Sequence, residues 1–105
     1  MPIKNSHKHS ENLSAKEIIR TINRNKGKLK RYGIKKIGLF GSFLRGEQKK
    51  KSDIDLLVEF DHITFDNYME AKLYLEKLFK RKIDLVIETN LKPAFNYVKK
   101  EVVYA

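Results

Sequence analysis

Two short apolar segments carry aspartates at positions where a β-strand normally carries none. They are residues 53–60, DIDLLVEF, and residues 82–87, KIDLVI. Side chains of a strand alternate between its faces, so Asp53 and Asp55 point to one face while Ile54 points into a core. Aspartate is disfavoured in strands, and neighbouring like charges repel. A compensating positive group is therefore expected on that face.

The remaining periodicity predicts helices between these strands. Ser14 followed by Glu17 has the pattern of a capping box, which begins a helix. Apolar residues then recur at helical spacing in two later segments. The predicted elements are helices at about 14–32, 66–81 and 94–101, a short helix after Ser42, and strands at 36–40, 53–60 and 82–87. This order predicts an α/β or α+β fold, a small mixed sheet flanked by helices.

Length and composition limit the chain to few classes of protein. Its 105 residues, 41% of them hydrophobic, suit one domain over residues 14–105 after a flexible tail at 1–13. The absence of cysteine excludes disulfides, thiolate metal sites and cysteine nucleophiles. No apolar run approaches the roughly 20 residues that span a bilayer, and the polar N-terminus lacks the apolar middle of a signal peptide. We therefore expect a cytoplasmic protein with no membrane segment.

The net charge of +10 is unevenly distributed. Residues 1–52 hold 15 basic and 3 acidic residues, net +12, whereas residues 53–105 hold 8 basic and 10 acidic residues, net −2. A basic half favours a polyanionic partner such as a nucleotide or an acidic protein, and the alternative is a solvated lysine-rich surface. Direct nucleic-acid binding is not favoured, because the aromatic residues fall on a helical stripe and are not interleaved with basic residues.

The aspartates have a functional and a structural interpretation. If the two segments are neighbouring strands, Asp84 joins Asp53 and Asp55 on one face, and three converging carboxylates can hold two divalent cations for phosphoryl transfer. The structural interpretation is that Asp53 and Asp55 begin an exposed strand and pair with nearby lysines. Asp84 would then be a capping or edge-strand acid.

The Gly41-Ser42 pair supplies a matching phosphate site. Gly41 lets the backbone approach a ligand closely, and Ser42 as N-cap opens a helix whose free N–H groups favour phosphate. Arg45 follows three residues later and can pair with phosphate oxygens. Without the aspartates this pair indicates only a turn.

These pieces occur in a recognisable order. Gly41-Ser42, ten intervening residues and Asp53-Ile54-Asp55 resemble the Gly-Ser…Asp-x-Asp motif of the DNA-polymerase-β-like nucleotidyltransferases. The sequence GSFLRGEQKKKSDIDLLVEF is similar to the smallest branch of that superfamily, the minimal nucleotidyltransferases or MNT proteins. The resemblance extends through KIDLVIETNLKPAFNYVKKEVVY and covers residues 15–104.

The resemblance implies a role for each matching residue. Gly41 and Ser42 would hold the phosphates of ATP, with Arg45 and Ser52 as further nucleotide contacts. The three matching acids, which would hold two Mg²⁺ ions, are Asp53, Asp55 and Asp84. The third of these would also help to deprotonate the acceptor hydroxyl. Leu44 departs from the family pattern, in which many relatives carry a small residue.

The family also implies a partner. MNT proteins are typically antitoxins that transfer AMP from ATP to a tyrosine of a HEPN-domain toxin, with release of pyrophosphate. Only about 20 residues follow Asp84, which leaves little room for an acceptor domain and favours a protein acceptor. The alternatives are an antitoxin that acts by binding alone, and a nucleotidyltransferase that acts on RNA or a small molecule.

Overall fold

The computed structural model describes residues 13–105, so the predicted tail lies almost wholly outside the described residues. The chain forms five α-helices and four strands within that range, joined in places by single 3₁₀ turns. In chain order the elements are α1 (Ala15–Arg24), α2 (Lys26–Arg31), β1 (Ile34–Phe40), α3 (Ser42–Arg45), β2 (Ile54–Phe60), α4 (Phe65–Phe79), β3 (Ile83–Ile87), α5 (Tyr97–Glu101) and β4 (Val103–Tyr104). The 3₁₀ turns, Glu88–Asn90 and Pro93–Phe95, lie between β3 and α5.

The strands form one mixed sheet in the order β3-β2-β1-β4. Strand β1 pairs antiparallel with β2 and with β4, whereas β2 and β3 are parallel. The register sets Asp55 opposite Phe40 on one side and opposite Asp84 on the other. The predicted fold class is confirmed, and the two aspartate-bearing segments are neighbours.

The N-terminal helix begins as predicted but is shorter. Ser14 and Glu17 form the capping box, with the Glu17 N–H donating to the Ser14 hydroxyl at 3.2 Å. The predicted single helix over 14–32 is wrong, because Asn25 separates α1 from α2. Its side-chain amide donates to the Thr21 carbonyl at 2.8 Å and its side-chain oxygen accepts from the Tyr74 hydroxyl at 2.8 Å. Asparagine competes in this way for backbone hydrogen bonds and interrupts helices.

One face of the sheet packs against helices α1, α2 and α4. Alternation along β2 puts Ile54, Leu56 and Val58 into this core, where all three are fully buried. Within residues 13–105 the buried set contains no polar or charged residue. The side chains that fill the space above these strands are aliphatic or aromatic: Ile18, Ile22, Leu29, Ala71, Leu75 and Phe79.

The opposite face is covered by the C-terminal segment. A Cβ atom at Gly38 would lie 2.6 Å from the Val102 side chain and 3.0 Å from the Tyr104 ring, so only glycine lets this segment cross β1 so closely. The Tyr104 hydroxyl donates to Glu88 at 3.0 Å. The predicted last helix over 94–101 is in fact a 3₁₀ turn followed by α5, and β4 was not predicted as a strand. Its two residues are too few to show any periodicity.

Within residues 13–105 the helices are all too short or too polar to cross a membrane. The longest, α4, has 15 residues and carries charged residues throughout.

Candidate active site

Asp55 and Asp84 lie side by side on the face of the sheet opposite the helices. Their Cα atoms are partners across the parallel β2–β3 pair, so the charge of Asp84 lies close enough to Asp55 to raise the pKa of Asp55. Asp55 is half-buried, whereas Asp53 and Asp84 are exposed. Of the three carboxylates predicted to converge, Asp84 lies on the strand next to Asp55, and the charge of Asp53 also acts on Asp55. The structure does not bring the three together around one ion in the described part of the chain.

The environment of Asp55 favours its protonated form. Burial raises the pKa of Asp55 to about 6, and the neighbouring charges of Asp84 and Asp53 act in the same direction. The positive charge of Arg45 opposes this shift in pKa without cancelling it.

Gly41 is pressed against the Asp55 carboxylate. Its φ of 80° lies in the region that favours glycine, and a Cβ atom there would collide with a carboxylate oxygen of Asp55. Strand β1 ends one residue before Gly41, beside the point where β2 places its aspartate. The glycine bend and the aspartates therefore form one site.

Ser42 follows the bend as the first residue of the four-residue helix α3. The predicted N-cap position at Ser42 is wrong, since Gly41 occupies the cap and its carbonyl accepts from the N–H groups of Leu44 and Arg45 at 3.1 Å. Gly46 ends the helix in the left-handed conformation. The tight turn therefore keeps the Ser42 backbone next to the close approach of Gly41 and Asp55.

Arg45 is held by two carboxylates. Its guanidinium donates to Glu47 at 2.9 Å and to Glu101 at 2.6 Å. The second oxygen of Glu101 accepts from the Gly41 N–H at 3.1 Å. Sequence reasoning missed Glu101, because it lies at the end of a short helix sixty positions away from the bend. The only sequence indication was an arginine near the bend that needed a counter-charge.

Ser52 fixes the loop between the bend and the aspartates. Its hydroxyl accepts from the Lys49 N–H at 2.8 Å, and its carbonyl accepts from Arg81 at 3.3 Å. Arg81 also donates to the Lys50 carbonyl at 2.9 Å and lies over the Phe43 ring. The structure therefore shows Ser52 in contacts that shape the loop leading into Asp53.

A cavity of about 380 Å³ opens beside Asp84 on the same face. This volume lies within the range of about 300–1,000 Å³ that is typical of small-molecule sites. Phe95 and Tyr97 stand at its mouth with ring centroids 6.3 Å apart, and both are about half exposed. The other residues of its lining are Phe40, Val86, Asn90, Leu91, Lys92 and Val98.

The donor chemistry of the aspartates fits a divalent cation. Carboxylate oxygens are the ligands that Mg²⁺ prefers, and a cation would offset the like charges that raise the pKa of Asp55. In the described part of the chain, no three acidic, histidine or cysteine side chains are placed so that they could hold an ion together. A cation here would relieve the repulsion that Asp84 and Asp53 exert on Asp55.

The Gly-Ser bend, pressed against Asp55 and next to the aspartate of the neighbouring strand, has the order of parts that the sequence motifs resemble. The chain belongs to the family described as the nucleotidyltransferase domain, whose sequence profile matches residues 16–104. This confirms the resemblance found in the sequence motifs.

Two individual relatives are similar to the chain over most of its length. It is 40% identical over 95 residues to the protein adenylyltransferase MntA of Thermococcus cleftensis, an alignment that covers 88% of this chain and 96% of MntA. A solved structure assigned to the minimal nucleotidyltransferases is 30% identical, with a TM-score of 0.74 over 87% of this chain and 95% of that one.

A third similarity concerns the fold alone. The complex of the MNT antitoxin with the tri-AMPylated HEPN toxin of Shewanella oneidensis matches with a TM-score of 0.60 at 20% identity, over 83% of this chain and 70% of that one. The chain is thus a nucleotidyltransferase-family protein whose relatives include a protein adenylyltransferase.

Proposed function

We propose that this protein is the antitoxin of a toxin–antitoxin pair and transfers AMP from ATP to a tyrosine hydroxyl of a HEPN-domain toxin, releasing pyrophosphate. The observation that supports this proposal most directly is the close approach of Gly41 to the Asp55 carboxylate, beside Asp84. It places the glycine bend, as the proposed phosphate site, next to the carboxylates. The 40% identity to a protein adenylyltransferase supports the AMP group and the protein acceptor.

The nucleotide occupies the bend and the aspartates together. Gly41 allows close approach to the backbone, and Ser42 offers its N–H and hydroxyl to the phosphates of ATP. The residues proposed to hold two Mg²⁺ ions are Asp53, Asp55 and Asp84, which the structure does not bring together around one ion, so ion binding would have to draw them closer. The bound ions would neutralise charge on the α-phosphate and on the departing pyrophosphate.

Asp84 is the proposed acceptor of the tyrosine proton. As the tyrosine oxygen bonds to the α-phosphorus, its proton passes to Asp84 and the bond from the α-phosphorus to the pyrophosphate oxygen breaks. Asp84 is exposed and borders the cavity, so a side chain from another protein can reach it. Asp55 must be ionised in this state, and the cations would keep it so.

The test is incubation of the protein with a HEPN partner, ATP and Mg²⁺, followed by mass spectrometry of the partner. The wild type is expected to add one or more AMP groups to a tyrosine, whereas the Asp53→Ala variant is expected to add none. Asp61→Ala removes an exposed acid after β2, outside the site, and serves as the matched control.

Two results would contradict the proposal. If the toxin is silenced without gaining mass, the protein neutralises it by binding alone. If AMP appears on RNA or on a small molecule while the HEPN protein stays unmodified, the transferase has a different acceptor. Omission of Mg²⁺ with added chelator tests the cation requirement in the same assay.

A further inference from the structure

Glu101 makes a two-sided contact that joins the last helix to the Gly-Ser bend. One of its carboxylate oxygens accepts from the Gly41 N–H at 3.1 Å, and the other accepts from the Arg45 guanidinium at 2.6 Å. We call these three groups the Glu101 clasp. Charge-assisted hydrogen bonds of this length are about twice as strong as neutral ones.

Glu47 shows what an ordinary surface carboxylate at the same arginine looks like. Its side chain is 63% exposed and contacts Arg45 at 2.9 Å. The Glu47 N–H donates to the Ser42 carbonyl at 2.9 Å, but within the described residues its carboxylate is hydrogen-bonded only to Arg45. The Glu101 side chain is 20% exposed and reaches both the arginine and the bend. The two glutamates therefore differ in whether they contact Gly41.

The segment that carries Glu101 is packed against the sheet. Val98, one helical turn before Glu101, is buried, and Val102 packs against Gly38 of β1. Gly41 is consequently held from two directions, by Glu101 at its N–H and by the Asp55 carboxylate next to its Cα. A bend held in this way keeps one position relative to the aspartates.

We propose that Glu101 is a positioning residue for nucleotide binding, and that Arg45 acts through Glu101 and makes no phosphate contact of its own. Glu101 takes the Gly41 N–H and one guanidinium N–H of Arg45, and Glu47 takes a second one, so both partners that the structure shows for Arg45 are carboxylates. Ser42 is the bend residue proposed to offer its N–H and hydroxyl to the nucleotide. This inference rests on the proposed function, since it assumes that the bend receives the phosphates of ATP.

A double-mutant cycle tests whether Arg45 contacts phosphate directly or acts through Glu101. The variants are Glu101→Gln, Arg45→Ala and the two combined, with Glu47→Gln as matched control. Each is assayed for ATP affinity by calorimetry without acceptor, and for KM of ATP and kcat of AMP transfer. Losing a charge-assisted bond that orients a binding group is expected to weaken ATP binding roughly tenfold.

We expect Glu101→Gln alone and Arg45→Ala alone each to raise KM for ATP roughly tenfold, with a smaller change in kcat. The combined variant is expected to be no worse than Glu101→Gln alone, because the arginine has no separate contact to lose. Glu47→Gln is expected to change KM by less than about twofold. Melting temperatures of all variants identify any that fail to fold, and Glu101→Gln keeps the side-chain volume.

Three results would overturn the proposal. Additive losses in the combined variant would mean that Arg45 contacts phosphate directly. Tighter ATP binding by Glu101→Gln would mean that the carboxylate competes with the nucleotide for the bend. Unchanged constants throughout would mean that the clasp is only structural. If the wild type binds ATP but modifies no HEPN protein, the proposed acceptor is wrong. The ATP affinities of the four variants would still decide the role of Glu101.

Discussion

The two faces of the sheet obey different demands. The helix face, which packs against α1, α2 and α4, contains only apolar buried residues such as Leu56. The carboxylate face carries Asp55 and Asp84 on adjacent strands, at a cost that the raised pKa of Asp55 reflects. This face is not purely polar, because Leu57 is also fully buried there. The helix core thus lies on one side of the sheet and the carboxylates of the proposed chemistry on the other.

The largest expected effect comes from Asp55→Asn on the carboxylate face. The change removes a proposed cation ligand, so AMP transfer should fall by on the order of a thousandfold or more. Stability should be retained, because a half-buried charge beside Asp84 and Asp53 is removed. Transfer rates test the expected loss of activity, and urea unfolding of the same samples tests the expected retention of stability. Loss of folding with this variant would contradict the separation of the two faces.

Leu56→Ala tests the helix face, where a substitution is expected to lower stability and to leave AMP transfer unchanged. The residue is fully buried between β2 and the helices, so truncation should cost about 2–5 kcal/mol of unfolding free energy through lost burial and a cavity. Urea titration followed by circular dichroism measures that loss. At temperatures where the variant remains folded, its AMP transfer should stay near the wild-type rate, and a selective loss of transfer would show that the faces are coupled.

The titration of Asp55 should move stability and activity in opposite directions. Its pKa in the folded protein is raised from 3.8 to about 6, so the folded state binds the proton more tightly than the unfolded chain. This contribution to stability is fully present below pH 3.8 and is lost as the pH rises through about 6.

Transfer should instead fall as the pH drops through the same range, roughly tenfold per pH unit once the carboxyl is protonated, since cations bind the ionised form. Melting temperatures in chelator and transfer rates across this range measure the two trends. The melting temperature of Asp55→Asn should lose this component of its pH dependence. Identical pH profiles of the wild type and this variant would assign the titration to another group.

The smallest expected effect is that of Ser14→Ala, at the edge of the helix face. It removes the capping hydroxyl that accepts from the Glu17 N–H, so unfolding free energy should fall by about 1 kcal/mol. Transfer should be unchanged, because the cap lies at the start of α1, away from the bend. Thermal unfolding with a parallel activity assay gives both values, and a clear loss of transfer would connect α1 to the site.

Local patterns were sufficient to predict much of the fold and part of the candidate site. Alternation gave the strands around Asp55 and Asp84, and their apolar neighbours implied burial on the other face. The capping box marked the first helix start within one residue. These features depend on a few consecutive residues, which is why the sequence suffices for them.

Contacts between distant segments could not be predicted. Asn25 interrupts a helical stripe because it binds both Thr21 and Tyr74, and the second contact spans 49 positions. The pairing of β4 with β1 rests on two residues and on the space left by Gly38. Glu101 has no motif of its own, and its importance appears only once the chain has folded.

The separation between Gly41 and Glu101 has a consequence for how the molecule is made. A ribosome adds about 5–20 residues per second, so the bend is synthesised roughly 3 to 12 seconds before the carboxylate that holds it. During that interval a nascent chain presents its aspartates beside an unanchored glycine. Premature termination between residues 84 and 101 would therefore release polypeptides that still contain Asp53, Asp55 and Asp84 but lack the carboxylate that holds the Gly41 bend.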